Sequence, residues 1–97
     1  MYYSRLKLTA QKEFKFNILS YKLVVINNIM KKKTIFKGRF DEHGLTGLVE
    51  IYNLNTTLIY EIYLRGEIFQ KVIVKANSNK KAHSTFTIKV LPEIFKS

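Results

Sequence analysis

The stretch Thr34-Ile35-Phe36-Lys37-Gly38-Arg39-Phe40-Asp41-Glu42-His43-Gly44-Leu45-Thr46 decides the fold class of this chain. Ile35, Lys37 and Arg39 alternate with Phe36, Gly38 and Phe40, which is the period of a pleated strand. The strand runs into Asp-Glu-His-Gly, and a second strand pattern leaves it. Asp41 is suited to accept hydrogen bonds from its own turn backbone. Gly44 is suited to the positive φ that closes a turn or bulge.

The same period extends in both directions. Phe14, Phe16 and Ile18 alternate with Lys15 and Asn17, and Tyr21, Leu23 and Val25 resume the pattern after Ser20. Asn27-Asn28 signals a turn, and Met30 to Lys33 reads as a solvated loop. Leu45 to Tyr52 reads as a strand interrupted at Gly47, where a bulge is expected. Asn53 to Thr56 is a turn, and Leu58 to Leu64, apolar on both faces, suggests a central strand. Arg65-Gly66-Glu67 is a hairpin connection into Ile68 to Ala76. A turn at Asn77 to Lys81 leads to the last strand, His83 to Val90, and Pro92 cannot continue a central strand. No stretch shows helical period. The pattern predicts an all-β chain of seven or eight short strands, an antiparallel β-sandwich or small barrel. One domain covers 1–97, with 1–12 and 91–97 as peripheral or edge segments. Leu23, Val25, Phe36, Val49, Ile62, Val72 and Phe86 are expected to share one core.

The chain contains no Cys, which excludes disulfides and thiolate metal sites. No run approaches the roughly 18 apolar residues of a membrane span. The start, Met-Tyr-Tyr-Ser-Arg-Leu-Lys-Leu, does not read as a signal peptide, so the expected location is cytoplasmic before any export by a specialised secretion system. The formal charge is +10, which raises nucleic acid, anionic lipid and acidic protein surfaces as partners. Lys outnumbers Arg by 14 to 3, which weakens the nucleic-acid reading because Arg is the better bidentate and stacking residue.

Tyr21-Lys-Leu-Val-Val followed by Phe36 to Thr46 resembles the transthyretin-like (prealbumin-like) β-sandwich module of bacterial type VI secretion spike proteins and effectors. In that family a Tyr-x-Leu/Ile strand leads through a hairpin into a Gly-x-Thr-Asp-x-x-Gly-x-Thr turn. Gly38, Asp41, Gly44 and Thr46 match that turn, while Phe40 stands where the family has Thr. The resemblance covers about a quarter of the chain. It implies a Greek-key, transthyretin/Ig-like sandwich acting as an adaptor between a secreted spike and its cargo. The hydroxyisourate-hydrolysing enzymes of the wider superfamily end in Tyr-Arg-Gly-Ser; this chain has Ile94-Phe-Lys-Ser97, which does not support that activity.

Asp41-Glu42-His43 is the only cluster of acid/base groups, and consecutive side chains rarely converge on one point. Asp41 has a simpler role as a turn acceptor. Two histidines, His43 and His83, make a structural zinc site implausible without Cys. No serine lies in a nucleophile elbow, and no Gly-rich phosphate loop occurs. The expectation is therefore a non-enzymatic module with no cofactor and no metal. Lys31, Lys32, Lys33, Lys80 and Lys81 form a candidate basic patch in loops, with Lys12, Lys15, Lys22, Lys71, Lys75 and Lys89 on strands. Together with Tyr21, Phe36, Tyr52 or Tyr60 as stacking platforms, they would suit single-stranded nucleic acid. The plainer reading is that the lysines keep a small protein soluble and the aromatics fill its core. Unpaired strand edges offer a third route, strand addition by a partner chain. The leading expectation is a module for protein–protein contacts, in a secretion spike or effector; the alternative is a basic domain for single-stranded nucleic acid.

Overall fold

The computed structural model describes residues 1–27, 29–52 and 56–89. Its strands are β1 (Tyr2–Ser4), β2 (Leu6–Ala10), β3 (Leu19–Ile26), β4 (Lys32–Arg39), β5 (Val49–Ile51), β6 (Thr57–Leu64), β7 (Glu67–Val74) and β8 (Ser84–Ile88). There are eight strands, the upper end of the seven or eight that the sequence pattern suggests, and no α-helix among the described residues. The sequence-expected turn at Asn53 to Thr56 falls mostly outside the described residues, and the segment 91–97 falls wholly outside them.

Four strands form one antiparallel sheet in the order β4-β3-β6-β7. Its hairpins follow local turn chemistry. Arg65 and Gly66, with φ of 54° and 82°, form the two-residue connection between β6 and β7, and positive φ at both positions matches the twist of the strands. Between β3 and β4 the side chain of Asn27 accepts from the N–H groups of Ile29 and Lys31 at 3.1 and 2.9 Å. The remaining strands assemble around the first ten residues. On one flank β1 pairs antiparallel with β5, and Leu8 and Thr46 donate backbone bonds to Gly44 and Leu6. On the other flank Tyr3 exchanges backbone bonds with Asn77, and β2 pairs with β8. That last pair is parallel, so the expectation of a wholly antiparallel fold is corrected. β2 and β8 are separated by the whole four-stranded sheet in sequence, long enough for the crossover a parallel pair needs.

The two groups of strands share one apolar cluster. Leu6 and Leu8 of β2, Ile51 of β5 and Ile88 of β8 meet Leu23, Leu58, Tyr60 and Ile62 of the four-stranded sheet. This is a compact all-β architecture consistent with a β-sandwich. Each such fully buried large side chain contributes about 1.5–3 kcal/mol. The segment 1–12, expected at the periphery, is instead bonded on both flanks, with Leu6 and Leu8 fully buried. The expected strand from Phe14 to Ile18 is a loop ending in a 3₁₀ turn at Phe16–Ile18. There the rings of Phe14 and Phe16 pack edge to face at 5.4 Å, and Phe16 folds against the turn at Gly44.

Of the expected core residues, Leu23, Val49, Ile62 and Val72 are buried, and Val25 and Phe86 pack against the cluster while partly exposed. Phe36 is 40% exposed, which corrects its assignment. It pairs with Leu23 and so faces the core side, but β4 is an edge strand and covers it from one direction only. Phe40, two turns of the pleat further on, is the ring that reaches the interior, at 5.2 Å from Tyr21.

Two tyrosines bind the strand groups together by polar bonds inside the cluster. The hydroxyls of Tyr60 on β6 and Ser4 on β1 share a buried hydrogen bond of 2.8 Å. The Tyr21 hydroxyl on β3 accepts from the Gly47 N–H at 3.0 Å. Thr46 accepts from the Leu6 N–H at 2.9 Å through its own hydroxyl. Burial pushes the Tyr60 pKa up, against the hydrogen bonds from Ser4 and Thr46.

Truncating the Tyr60 hydroxyl with Tyr60→Phe leaves a buried serine oxygen unpaired and is expected to cost about 1–2 kcal/mol in chemical denaturation. Adding Ser4→Ala should cost less than its single-variant effect, because both partners are then gone. Full additivity would show that the bond carries no coupling.

Gly44 has a φ of 81°, and a Cβ there would stand 2.5 Å from the Leu8 carbonyl oxygen. Gly44→Val should therefore destabilise by about 1–3 kcal/mol from backbone strain alone. An unchanged melting temperature would contradict this.

Candidate functional site

The turn that the sequence singled out is a structural device. Asp41 accepts through one carboxylate oxygen from the N–H groups of His43 and Leu45, at 2.8 and 2.9 Å. The Leu45 backbone bond holds the Asp41 carboxyl below its usual range, with His43 helping and desolvation opposing. Gly44 donates to the Asp41 carbonyl at 3.0 Å, and Thr46 joins the turn to β2. Gly38 lies in β4 rather than in the turn, and it leaves room for the Tyr21 ring, whose hydroxyl would be 3.3 Å from a Cβ. Glu42 and His43 are 3.5 Å apart and largely exposed, and His83 stands 3.3 Å from its neighbour Thr85. No group of three or more His, Asp or Glu side chains among the described residues could hold a metal ion. No helix among them is long and apolar enough to cross a membrane.

The expected basic loop residues do not sit together. Lys32 and Lys33 belong to β4 rather than to a loop, with Lys31 just before it, while Lys80 and Lys81 lie in the connection from β7 to β8. Of the candidate stacking rings, Tyr21 and Tyr60 are in the core. Phe36 and Tyr52 reach solvent, the latter at 81% exposure.

The register of the four-stranded sheet assembles a different group of charges on its open face. Lys22 of β3 lies directly opposite Lys37 of β4 on one side and Glu61 of β6 on the other, and Glu61 faces Lys71 of β7. One row away, Ser20 faces Arg39 and Tyr63. Glu61 is the keystone of this face, with a side chain only 6% exposed. Its carboxylate accepts from Lys32 Nζ at 2.9 Å and from the Tyr63 hydroxyl at 2.9 Å, with Lys71 Nζ at 3.9 Å. Burial alone would raise the Glu61 pKa; the bonds from Lys32 and Tyr63 and the charges of Lys32 and Lys71 outweigh it and hold the carboxyl below its ordinary value. Lys22 lies over the Tyr63 ring at 5.1 Å. Among the described residues no carboxylate reaches Lys37 or Arg39 within ion-pair distance. An open recess of about 520 Å³ lies beside these two, lined also by Ser20, Lys22 and Tyr63.

β4 itself is bonded only to β3 among the described residues. Its register slips between Leu23 and Val24, leaving Ile35 without a partner in the ladder. Ile35 and Phe36 are 37% and 40% exposed. On the core side of this edge an apolar recess of about 350 Å³ is lined by Val25, Ile35, Val49, Ile51 and Tyr52. Glu50 also borders it, with its carboxylate accepting from the Tyr52 hydroxyl at 3.1 Å. Lys22 and Lys71 were recognisable as strand lysines, but their meeting around Glu61 depends on cross-strand register, which no local pattern encodes.

The chain matches no family model, no curated protein and no solved structure.

The Glu61 carboxylate has its pKa lowered on folding, so it contributes stability that is full above the ordinary Glu range and is lost as pH falls through and below it. Glu61→Gln should cost about 0.5–1.5 kcal/mol at neutral pH, allowing for the half-exposed Lys32. The gap between the two proteins should close in acid. A gap that persists at low pH would assign the loss to packing instead.

Proposed function

We propose that this protein is a non-enzymatic interaction module that binds an extended segment of a partner protein along the free edge of β4. The observation that carries this reading is the edge itself. It is an eight-residue strand, bonded on one side only among the described residues, with exposed Ile35 and Phe36 and an apolar recess on its core side. A peptide laid against it would satisfy the outward N–H and C=O groups and cover both side chains, which is the usual chemistry of strand addition. Free edges of this kind need protection from self-association, and the lysines and the irregularity at Ile35 supply it here.

The finer architecture we propose is a Greek-key sandwich of the transthyretin or immunoglobulin kind. The setting we propose for it, an adaptor on a type VI secretion spike or effector, rests on the Gly38 to Thr46 turn alone. Single-stranded nucleic acid is the second reading, supported by five cations, Lys22, Lys32, Lys37, Arg39 and Lys71, on one sheet face. It ranks second because that face offers one aromatic ring, Tyr63, which Lys22 already covers, whereas sequence-tolerant strand binders stack several bases on several rings.

The test is backbone amide exchange with a panel of extended ten-residue peptides. A bound peptide should slow exchange at alternate amides of Lys32–Arg39 and leave the far edge, Glu67–Val74, unchanged. Protection confined to β7 or to the connecting loops would refute the assignment of this edge.

A further inference from the structure

From the charges along β4 we infer that the segment this edge accepts is acidic at alternate positions, with glutamate or aspartate facing Lys37 and Arg39 and apolar residues on the other side. The inference rests on the strand-addition reading above. It starts from a local conflict. Lys22 and Lys37 stand directly opposite each other in an antiparallel pair, an arrangement that costs stability when both are charged. Arg39 extends the same row of cations and, like Lys37, reaches no carboxylate among the described residues. Glu61 is occupied by Lys32 and the Tyr63 hydroxyl and reaches Lys71, so it leaves Lys37 and Arg39 uncompensated. A sequence that tolerates a repulsive pair beside an open recess is arranged for an anion supplied from outside.

The geometry selects a polypeptide as the carrier of that charge. Residues 37 and 39 are two apart on one strand, so their side chains leave the sheet on the same face about 6.6–6.8 Å apart. A strand added to β4 repeats that spacing by construction, and each of its residues stands about 4.5–5.5 Å from its cross-strand partner. Two acidic side chains in alternation thus meet Lys37 and Arg39 one to one, with Lys22 close behind. The intervening residues of the same strand point to the opposite face, toward Phe36 and the recess beside Ile35, Val49 and Ile51. Edge hydrogen bonds, paired charges and an apolar contact are then satisfied by one alternating segment. A phosphodiester chain can accept from the edge N–H groups, but it does not offer donors to the edge carbonyls in alternation at strand spacing.

The experiment uses five probes against the full chain at 150 mM salt. They are an eight-residue peptide alternating glutamate with valine, its glutamine counterpart, two versions of the glutamate peptide N-methylated at alternate residues, one along each edge, and an oligothymidylate of similar length. Two or three favourable cross-strand pairs correspond to about a tenfold gain in affinity. The glutamate peptide should therefore bind about tenfold tighter than the glutamine peptide. That advantage should vanish in the Lys37→Gln/Arg39→Gln variant and persist in Lys80→Gln/Lys81→Gln. The free Lys37→Gln protein should melt no lower than wild type, which separates loss of the site from loss of the fold. Equal binding of the glutamate and glutamine peptides overturns the acidic specificity while leaving strand addition standing. Strand addition should abolish binding of one N-methylated peptide and spare the other; undiminished binding of both overturns strand addition itself, and with it this inference. Oligothymidylate binding tighter than the glutamate peptide, and lost in the Lys37→Gln/Arg39→Gln variant, overturns the inference in favour of nucleic acid.

Discussion

The bonds from Tyr60 to Ser4 and from Gly47 to Tyr21 set the relation of the two strand groups. Apolar contacts are non-directional and would permit the four-stranded sheet to slide over β1, β2 and β5 with little change in buried area. A buried hydroxyl does not permit this, because it loses a bond when it moves by an ångström or two. Tyr21 is the hub, since its ring also contacts Phe36, Phe40 and Tyr60 at centroid distances of 5.2 to 6.1 Å. The placement of β4 follows from it. Gly38 lets the Tyr21 ring approach the strand closely, and Phe36 stacks on that ring from the edge. The position of the candidate binding edge is therefore tied to a hydrogen bond in the interior.

Much of this was legible in the chain. β6 announces itself by an apolar run, β7 by its period, and the two by a short connection whose Gly66 suits the positive φ found there. The Asp41 turn could be read because its bonds are local, spanning at most four residues. What could not be read depends on distant partners. Tyr2 to Ala10 has weak periodicity, and it becomes central only because segments near residues 45, 77 and 85 arrive on its two flanks. Phe14, Phe16 and Ile18 have perfect alternation and no ladder partner, so they fold into a short 3₁₀ turn. The charged face around Glu61 was illegible for the same reason. Each residue sits in the polar phase of its own strand, and only register reveals that one carboxylate serves several cations.

The open face illustrates a balance between solubility and order. Glu61 is nearly buried and bonded to Lys32 and the Tyr63 hydroxyl, so the face is polar yet packed. Lys37 and Arg39, which that carboxylate does not reach, stand on β4, whereas β7 carries Lys71 beside it together with the exposed Ile68 and Ile73. The two edges of the same sheet thus differ in their charge, and a partner meets them as different surfaces.

The parallel pairing of β2 with β8 has a consequence for how the molecule is made. Thr9 and Thr87, whose hydroxyls meet at 2.7 Å, are 78 residues apart in sequence. Closing so long a loop is slow, and chains dominated by distant contacts fold late and expose apolar surface while they wait. During synthesis Leu6 and Leu8 are made long before the strand that covers their flank, Ser84–Ile88. Until β8 is made, β2 lacks its parallel partner and Leu8 lacks the cover of that flank. A chain waiting in that state is open to chaperones and to domain swapping.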